Sequence, residues 1–124
     1  KILKDVISKF SEQNIFSGYG DGYVMINQKR YEQNLIVFPD HIIENWSVQT
    51  LEQLEFAHFD CLLPHQPEIV LLGTGTRLSF PHHSLLNQLI KSGIGIEVMD
   101  TKATCRTYNI LVEEERRVAA ALLI

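Results

Sequence analysis

The sequence predicts an α/β domain in which helices cover a largely parallel sheet. Three observations carry that expectation. Glu68-Ile-Val-Leu-Leu72 and Ile94-Gly-Ile-Glu-Val-Met99 are short apolar runs of the kind that become buried parallel strands. Between them, Leu85, Leu86, Leu89 and Ile90 recur at helical spacing. After the second run, Asp100 is placed to cap a further helix reaching Glu115. Strand, helix, strand, helix over residues 68–115 is a right-handed crossover unit, and it fixes the fold class.

The remaining elements follow in order. Ile2, Leu3, Val6, Ile7 and Phe10 form the stripe of a short amphipathic helix, so residues 1–14 are read as a helical extension of one α/β domain over 15–124. Three glycines make residues 15–22 an irregular lead-in to a strand over 23–26. Residues 27–30 are a polar turn, and Leu35-Ile-Val-Phe38 is a continuous apolar run closed by Pro39, so residues 23–38 are expected to form an antiparallel hairpin whose second strand is buried on both faces. Residues 41–46 are extended, with Trp46 capping the core and its indole N–H on an acceptor. Thr50 and Gln53 match a capping box, so a short helix begins near Leu51, and Pro64 and Pro67 end whatever helix reaches Leu63. Gly73-Thr-Gly-Thr76 turns the chain, Pro81 opens the next helix and Gly93 closes it. The final apolar run, from Val118, suits a central strand or a helix equally.

Composition narrows the functional classes. The 124 residues are 45% hydrophobic and 21% charged, as in an ordinary globule, with a formal charge of −4 and a pI near 5.7. No basic footprint for tracking phosphates is present, so a nucleic-acid partner is not expected. The longest apolar run is seven residues, far short of the roughly 20 that a membrane-spanning helix needs. The opening Lys1-Ile-Leu-Lys-Asp5 has no secretion-signal pattern and no initiator Met, so the natural N-terminus is expected to lie upstream. Two cysteines, Cys61 and Cys105, are too few for a disulfide framework and point to a reduced, cytoplasmic setting.

In parallel sheets, ligands sit beyond the carboxyl ends of the strands, which places any site where residues 73–76 meet residues 99–101. Gly73, Thr74 and Gly75 offer backbone N–H groups to an anion, with Arg77 adding charge, although a tight turn is the simpler role. Asp100 and Thr101 start a helix, where a capping carboxylate competes with a bound anion. Glu97 in an apolar strand must be paired or protonated if buried, and Arg106 is the expected partner. The candidate crevice is therefore Gly73, Thr74, Gly75, Arg77, Glu97, Asp100, Thr101 and Arg106.

No catalytic residue is assigned. Cys105 shares a helix face with Thr101 and Tyr108, expected to point inward, and no base stands at a spacing that would activate it. His41, His58, His65, His82 and His83 lack zinc-site spacing, so neither metal nor cofactor is expected. Ser79 and Ser84 lack a nucleophile elbow.

Several segments nevertheless recur together. They are the glycine-punctuated hairpin ending Leu-Ile-Val-Phe-Pro39, Trp46, Pro67-Glu-Ile-Val-Leu-Leu-Gly-Thr-Gly75, Ile94-Gly-Ile-Glu-Val-Met-Asp-Thr101, Cys105-Arg-Thr-Tyr-Asn109 and Arg116-Arg-Val-Ala-Ala-Ala-Leu-Leu123. In their order and spacing, from Tyr23 to Ile124, the chain resembles a small family of uncharacterised domains that includes mitochondrial respiratory complex I assembly factor 3 and bacterial proteins. The resemblance implies a three-layer α/β fold with a central mixed sheet whose last strand is antiparallel to the others and lies within it. It also implies action through a protein partner, with no established catalytic mechanism. The functional expectation is thus a non-enzymatic protein-interaction module resembling an assembly factor, its partner unidentified and its oligomeric state open. The alternative is a binder of a small anionic ligand, or an enzyme, using the crevice.

Overall fold

The computed structural model describes residues 13–124. The helix read from Ile2 to Phe10 lies outside the described residues. β1 (Phe16–Gly20), β2 (Tyr23–Ile26) and β3 (Lys29–Tyr31) form a small antiparallel sheet in that order. β4 (Leu35–Phe38), β5 (His41–Ile43), β6 (Ile69–Thr74), β7 (Gly95–Met99) and β8 (Val118–Leu123) form the central sheet, in the order β5-β4-β8-β6-β7. Helix α1 (His83–Lys91) joins β6 to β7, and helix α2 (Thr101–Glu113) joins β7 to β8. Two 3-10 segments, Leu51–Gln53 and Phe56–His65, complete the described elements.

The α/β class, the mixed sheet and the crossover unit stand as expected, and β8 lies inside the sheet between β4 and β6. Its direction needs one correction. β8 runs antiparallel to β4 but parallel to β6, so it does not oppose every other strand. A helix laid back along the sheet returns the chain to the end where β7 began, and the next strand must then run parallel to β7. The reversed strand is β4, which turns tightly through Pro39 and Asp40 into β5.

The hairpin is also shorter than the sequence suggested. β2 pairs with β3 around Asn27 and Gln28, both at positive φ (49° and 73°), and residues 16–20 form a paired strand in place of an irregular lead-in. Leu35–Phe38 leaves the hairpin for the central sheet because all four side chains are buried, which requires a layer on each side. The helix near Leu51 is a 3-10 turn without a Thr50 side-chain cap. A reciprocal cap forms one turn later, where the Glu55 N–H donates to His58 Nδ1 at 2.8 Å. The Phe56–His65 segment runs through Pro64 and ends at Gln66 in a left-handed conformation. On α1, Leu85 and Leu89 are buried while Ile90 faces solvent, so the inward stripe is narrower than four residues.

Alternation along β8 divides the core. Val118, Ala120 and Leu122 face α2 and the small sheet, with Cys105, Tyr108, Val112, Phe16, Val24 and Ile26. Ala119, Ala121 and Leu123 face the opposite layer, with Trp46, Phe59, Leu85 and Leu89. Trp46 donates to the His58 carbonyl at 3.0 Å, as its partial polarity demands.

Two asparagines tie distant segments together. Asn34 Oδ1 accepts from the Ile124 N–H at 2.7 Å while its Nδ2 donates to the Val48 carbonyl at 2.7 Å. Asn109 on α2 imitates a neighbouring strand, since its Nδ2 donates to the Phe16 carbonyl at 2.8 Å and its Oδ1 accepts from the Phe16 N–H at 2.9 Å. The Tyr108 hydroxyl adds a bond to the Asn14 carbonyl at 2.8 Å, and its ring meets that of Phe16 edge-on at 5.0 Å. Asn109→Ala removes both bonds to Phe16 and is expected to cost about 1–2 kcal/mol. Denaturant unfolding measures this loss, and hydrogen exchange should show β1 amides losing protection before those of β6.

Candidate functional site

The carboxyl ends of β6, β7 and β8 converge on one buried hydroxyl. Thr101 Oγ1 donates to the Leu123 carbonyl at 2.7 Å and accepts from the Gly75 N–H at 2.8 Å, while the Thr101 N–H donates to the Gly75 carbonyl at 2.9 Å. Gly75 meets this demand with φ +93°, a conformation that a side chain would strain. Gly73 has a different reason for being glycine. A Cβ there would stand 2.7 Å from Leu122 Cδ2, 3.0 Å from Thr104 Oγ1 and 3.1 Å from Thr101 Oγ1, so the first turn of α2 packs directly on the β6 backbone.

The helix start is likewise occupied by the chain itself. The Asp100 carboxylate accepts from the Ala103 N–H at 2.8 Å, and Thr104 Oγ1 donates to the Asp100 carbonyl at 2.8 Å. The Asp100 carboxylate and the Gly75 carbonyl thereby occupy the Ala103 and Thr101 N–H groups, two of the amides an incoming anion would use. Thr74 stabilises the following loop, its hydroxyl donating to the Arg77 carbonyl at 2.7 Å and accepting from the Ser79 N–H at 3.2 Å.

Five of the eight crevice residues, Gly73, Thr74, Gly75, Asp100 and Thr101, therefore meet at this junction, and Arg77 stands at its outer edge. Glu97 and Arg106 do not form the expected pair. Glu97 is exposed on β7, an edge strand, where water replaces the partner a buried carboxylate would require. Arg106 is exposed on α2 and donates to the Tyr19 hydroxyl at 3.2 Å, a contact that raises its already high pKa.

Beside the junction lies an open groove of about 410 Å³, with Thr74, Gly75, Thr76, Arg77 and Ser79 on one wall and Gln49, Thr50, Leu51 and Glu52 on the other. A second depression of about 320 Å³ lies among Phe38, Asp40, His65, Arg116 and Arg117. There the His65 ring stacks on Phe38 and on His41, with centroid separations of 4.2 and 4.9 Å, and those two rings lie 6.2 Å from each other. Among the described residues, no group of three or more His, Cys, Asp or Glu side chains is arranged to hold a metal ion. Thr101, Cys105 and Tyr108 share the inward face of α2, as their spacing suggested. Burial pushes the Cys105 thiol up to about 12, against a lesser downward pull from Arg106, which leaves it protonated and a poor nucleophile at neutral pH.

The sequence pattern of the family described as "Protein of unknown function (DUF498/DUF598)" matches residues 16–123. The chain belongs to that family. Relatives of the DUF498/DUF598 chain include a "13 kDa major membrane protein" from Francisella tularensis, 30% identical over 109 residues that cover 87% of this chain and 89% of the relative. "NADH dehydrogenase [ubiquinone] 1 alpha subcomplex assembly factor 3" from Danio rerio is 38% identical over 89 residues, covering 70% of this chain but 51% of the relative. The match spans about half the length of that assembly factor. A Bordetella parapertussis protein with a crystal structure superposes with a TM-score of 0.80 at 36% identity, covering 90% of this chain and 95% of that one.

The Thr101 knot, Asn34 and Asn109 were not legible as bonded groups in the sequence, because their partners lie 14 to 93 residues away. The sole local sign was Thr101 and Thr104, two small polar residues on the inward side of an otherwise apolar helix face. Thr101→Val keeps the shape but leaves the Gly75 N–H and the Leu123 carbonyl without that partner, and should cost about 2–3 kcal/mol in urea unfolding. Thr101→Ser, which keeps the hydroxyl, should retain most of the stability.

Proposed function

We propose that this DUF498/DUF598 domain is a non-enzymatic protein-interaction module acting as an assembly or maturation factor. The observation that carries this reading is the 38% identity with complex I assembly factor 3 over 89 residues, 70% of this chain. The junction at the strand ends supports it, because backbone and hydroxyl groups there are bonded to one another and the buried thiol is unreactive. Free Cys61 and Cys105 favour a reducing, cytoplasmic setting. No helix among the described residues is long and apolar enough to cross a membrane. Gentle affinity capture of the full chain from its native host should recover one partner in fixed stoichiometry. Repeated recovery of the chain alone would sink the interaction reading.

The groove of about 410 Å³ favours a second reading, a small anionic ligand held by Arg77, Ser79 and the Gly75 turn. Thermal-shift screening of phosphate- and carboxylate-bearing metabolites tests it. A ligand at about 100 times its dissociation constant adds roughly 2.7 kcal/mol, a rise of about 10 °C in Tm for a domain of this size. Arg77→Ala should erase the shift and Arg106→Ala should leave it intact. A shift insensitive to Arg77 would remove this groove as the ligand site.

A further inference from the structure

Eight lysine and arginine side chains fall within the described residues, and six of them have partners. Arg30, Lys102 and Arg116 pair with Glu32, Asp21 and Glu68; Lys29 lies over the Tyr31 ring; Arg106 meets Tyr19; Arg117 donates to the Gln66 carbonyl. Arg77 and Lys91 have no such partner among the described residues. They bracket the stretch that holds Leu78, Phe80 and Ile90, which are 54%, 66% and 64% exposed and make up three of the six large apolar side chains left in solvent among the described residues. Between Glu68 and Glu97 there is no acidic residue, in a chain that carries 15.

The loop is built to hold this arrangement. The Thr74 hydroxyl engages Arg77 and Ser79 from inside, and Pro81 is buried at the other end, so Leu78 and Phe80 stay outside. On α1, Leu86 and Ile90 are four residues apart on a common flank, beside the buried Leu85 and Leu89.

We propose that the loop over residues 76–80, together with the Leu86 and Ile90 flank of α1, docks the protein on an anionic lipid surface. Leu78 and Phe80 enter the boundary between headgroups and acyl chains, while Arg77 and Lys91 remain at the level of the lipid phosphates. Bulky apolar side chains on a pinned loop, cations before and after them in the sequence and no carboxylate within residues 69–96 match acyl chains lying beneath negative headgroups. The inference goes beyond the protein-interaction reading, and either can fail without the other.

The test is sedimentation of the purified full chain with vesicles of phosphatidylglycerol and phosphatidylethanolamine, in parallel with vesicles of phosphatidylcholine alone. The protein should pellet with the former at low salt, lose binding as salt rises, and stay in solution with the latter. Arg77→Ala and Lys91→Ala should each weaken partition about fivefold and lessen its salt dependence. The double variant Leu78→Ser, Phe80→Ser should remain in the supernatant at every salt concentration, with an unchanged melting temperature as its fold control. In Phe80→Trp, a blue shift of the new indole emission on adding phosphatidylglycerol vesicles reports insertion, since Trp46 is already buried. A wild-type chain that ignores phosphatidylglycerol vesicles overturns the proposal, as does a double variant that pellets like wild type. Vesicle-independent binding of a purified acidic protein through these same side chains, with no lipid partition, would reassign the surface to a protein.

Discussion

The Thr101 hydroxyl is the bond on which the arrangement of the strand ends depends. It joins the turn after β6, the first turn of α2 and the last strand, three segments that no local interaction brings together. Buried polar groups of this kind must be satisfied completely or they destabilise the core. Here every contributor is matched: Gly73 leaves room for the helix, Gly75 supplies the backbone conformation, and Asp100 caps the helix from outside. The feature that gives a parallel sheet its usual ligand crevice is thereby used to fasten the sheet to α2. What remains open lies outward of it, in the groove beside Arg77.

The second structural commitment is the attachment of the small sheet. β1 to β3 could not bury Phe16, Val24 and Ile26 alone, and they do so by covering α2. Asn109 and Tyr108 make that contact directional, since the bonds they form with Phe16 and Asn14 are satisfied in one register only. The layer order therefore follows from α2 being covered on both sides, by the central sheet on one and the small sheet on the other.

Charge is distributed unevenly over this frame. Among the described residues most cations are engaged locally, by carboxylates, an aromatic ring, a hydroxyl or a carbonyl, whereas the segment from the end of β6 through α1 holds positive charge with no such partner beside exposed apolar side chains. A net charge of −4 conceals this, because composition sums over surfaces that no partner meets at once. Membership of the DUF498/DUF598 family fixes the fold, and the chemistry of the exposed surface bears on how members of such a family differ in what they bind.

How much could be read in advance follows from the range of the forces involved. Apolar periodicity and caps are local, so β6, α1, β7 and α2 were legible from residues 68–115, as was the inward placing of Thr101, Cys105 and Tyr108. The motifs shared with the family placed the ambiguous C-terminal run as a strand. Which strand Leu35–Phe38 would join, and that β4 alone would be reversed, depended on which faces were left to cover. Glu97 illustrates the limit most clearly: an apolar run reads as buried, but β7 is an edge strand, and edge position is a property of the sheet. The sequence by itself determined the α/β class, the crossover unit and the location of the strand-end junction, because those rest on neighbours within a few residues. Only the tertiary structure decided that the junction is closed, that Glu97 and Arg106 stand apart, and that Arg77 and Lys91 find no partner among the described residues, because each depends on partners brought together from distant parts of the chain.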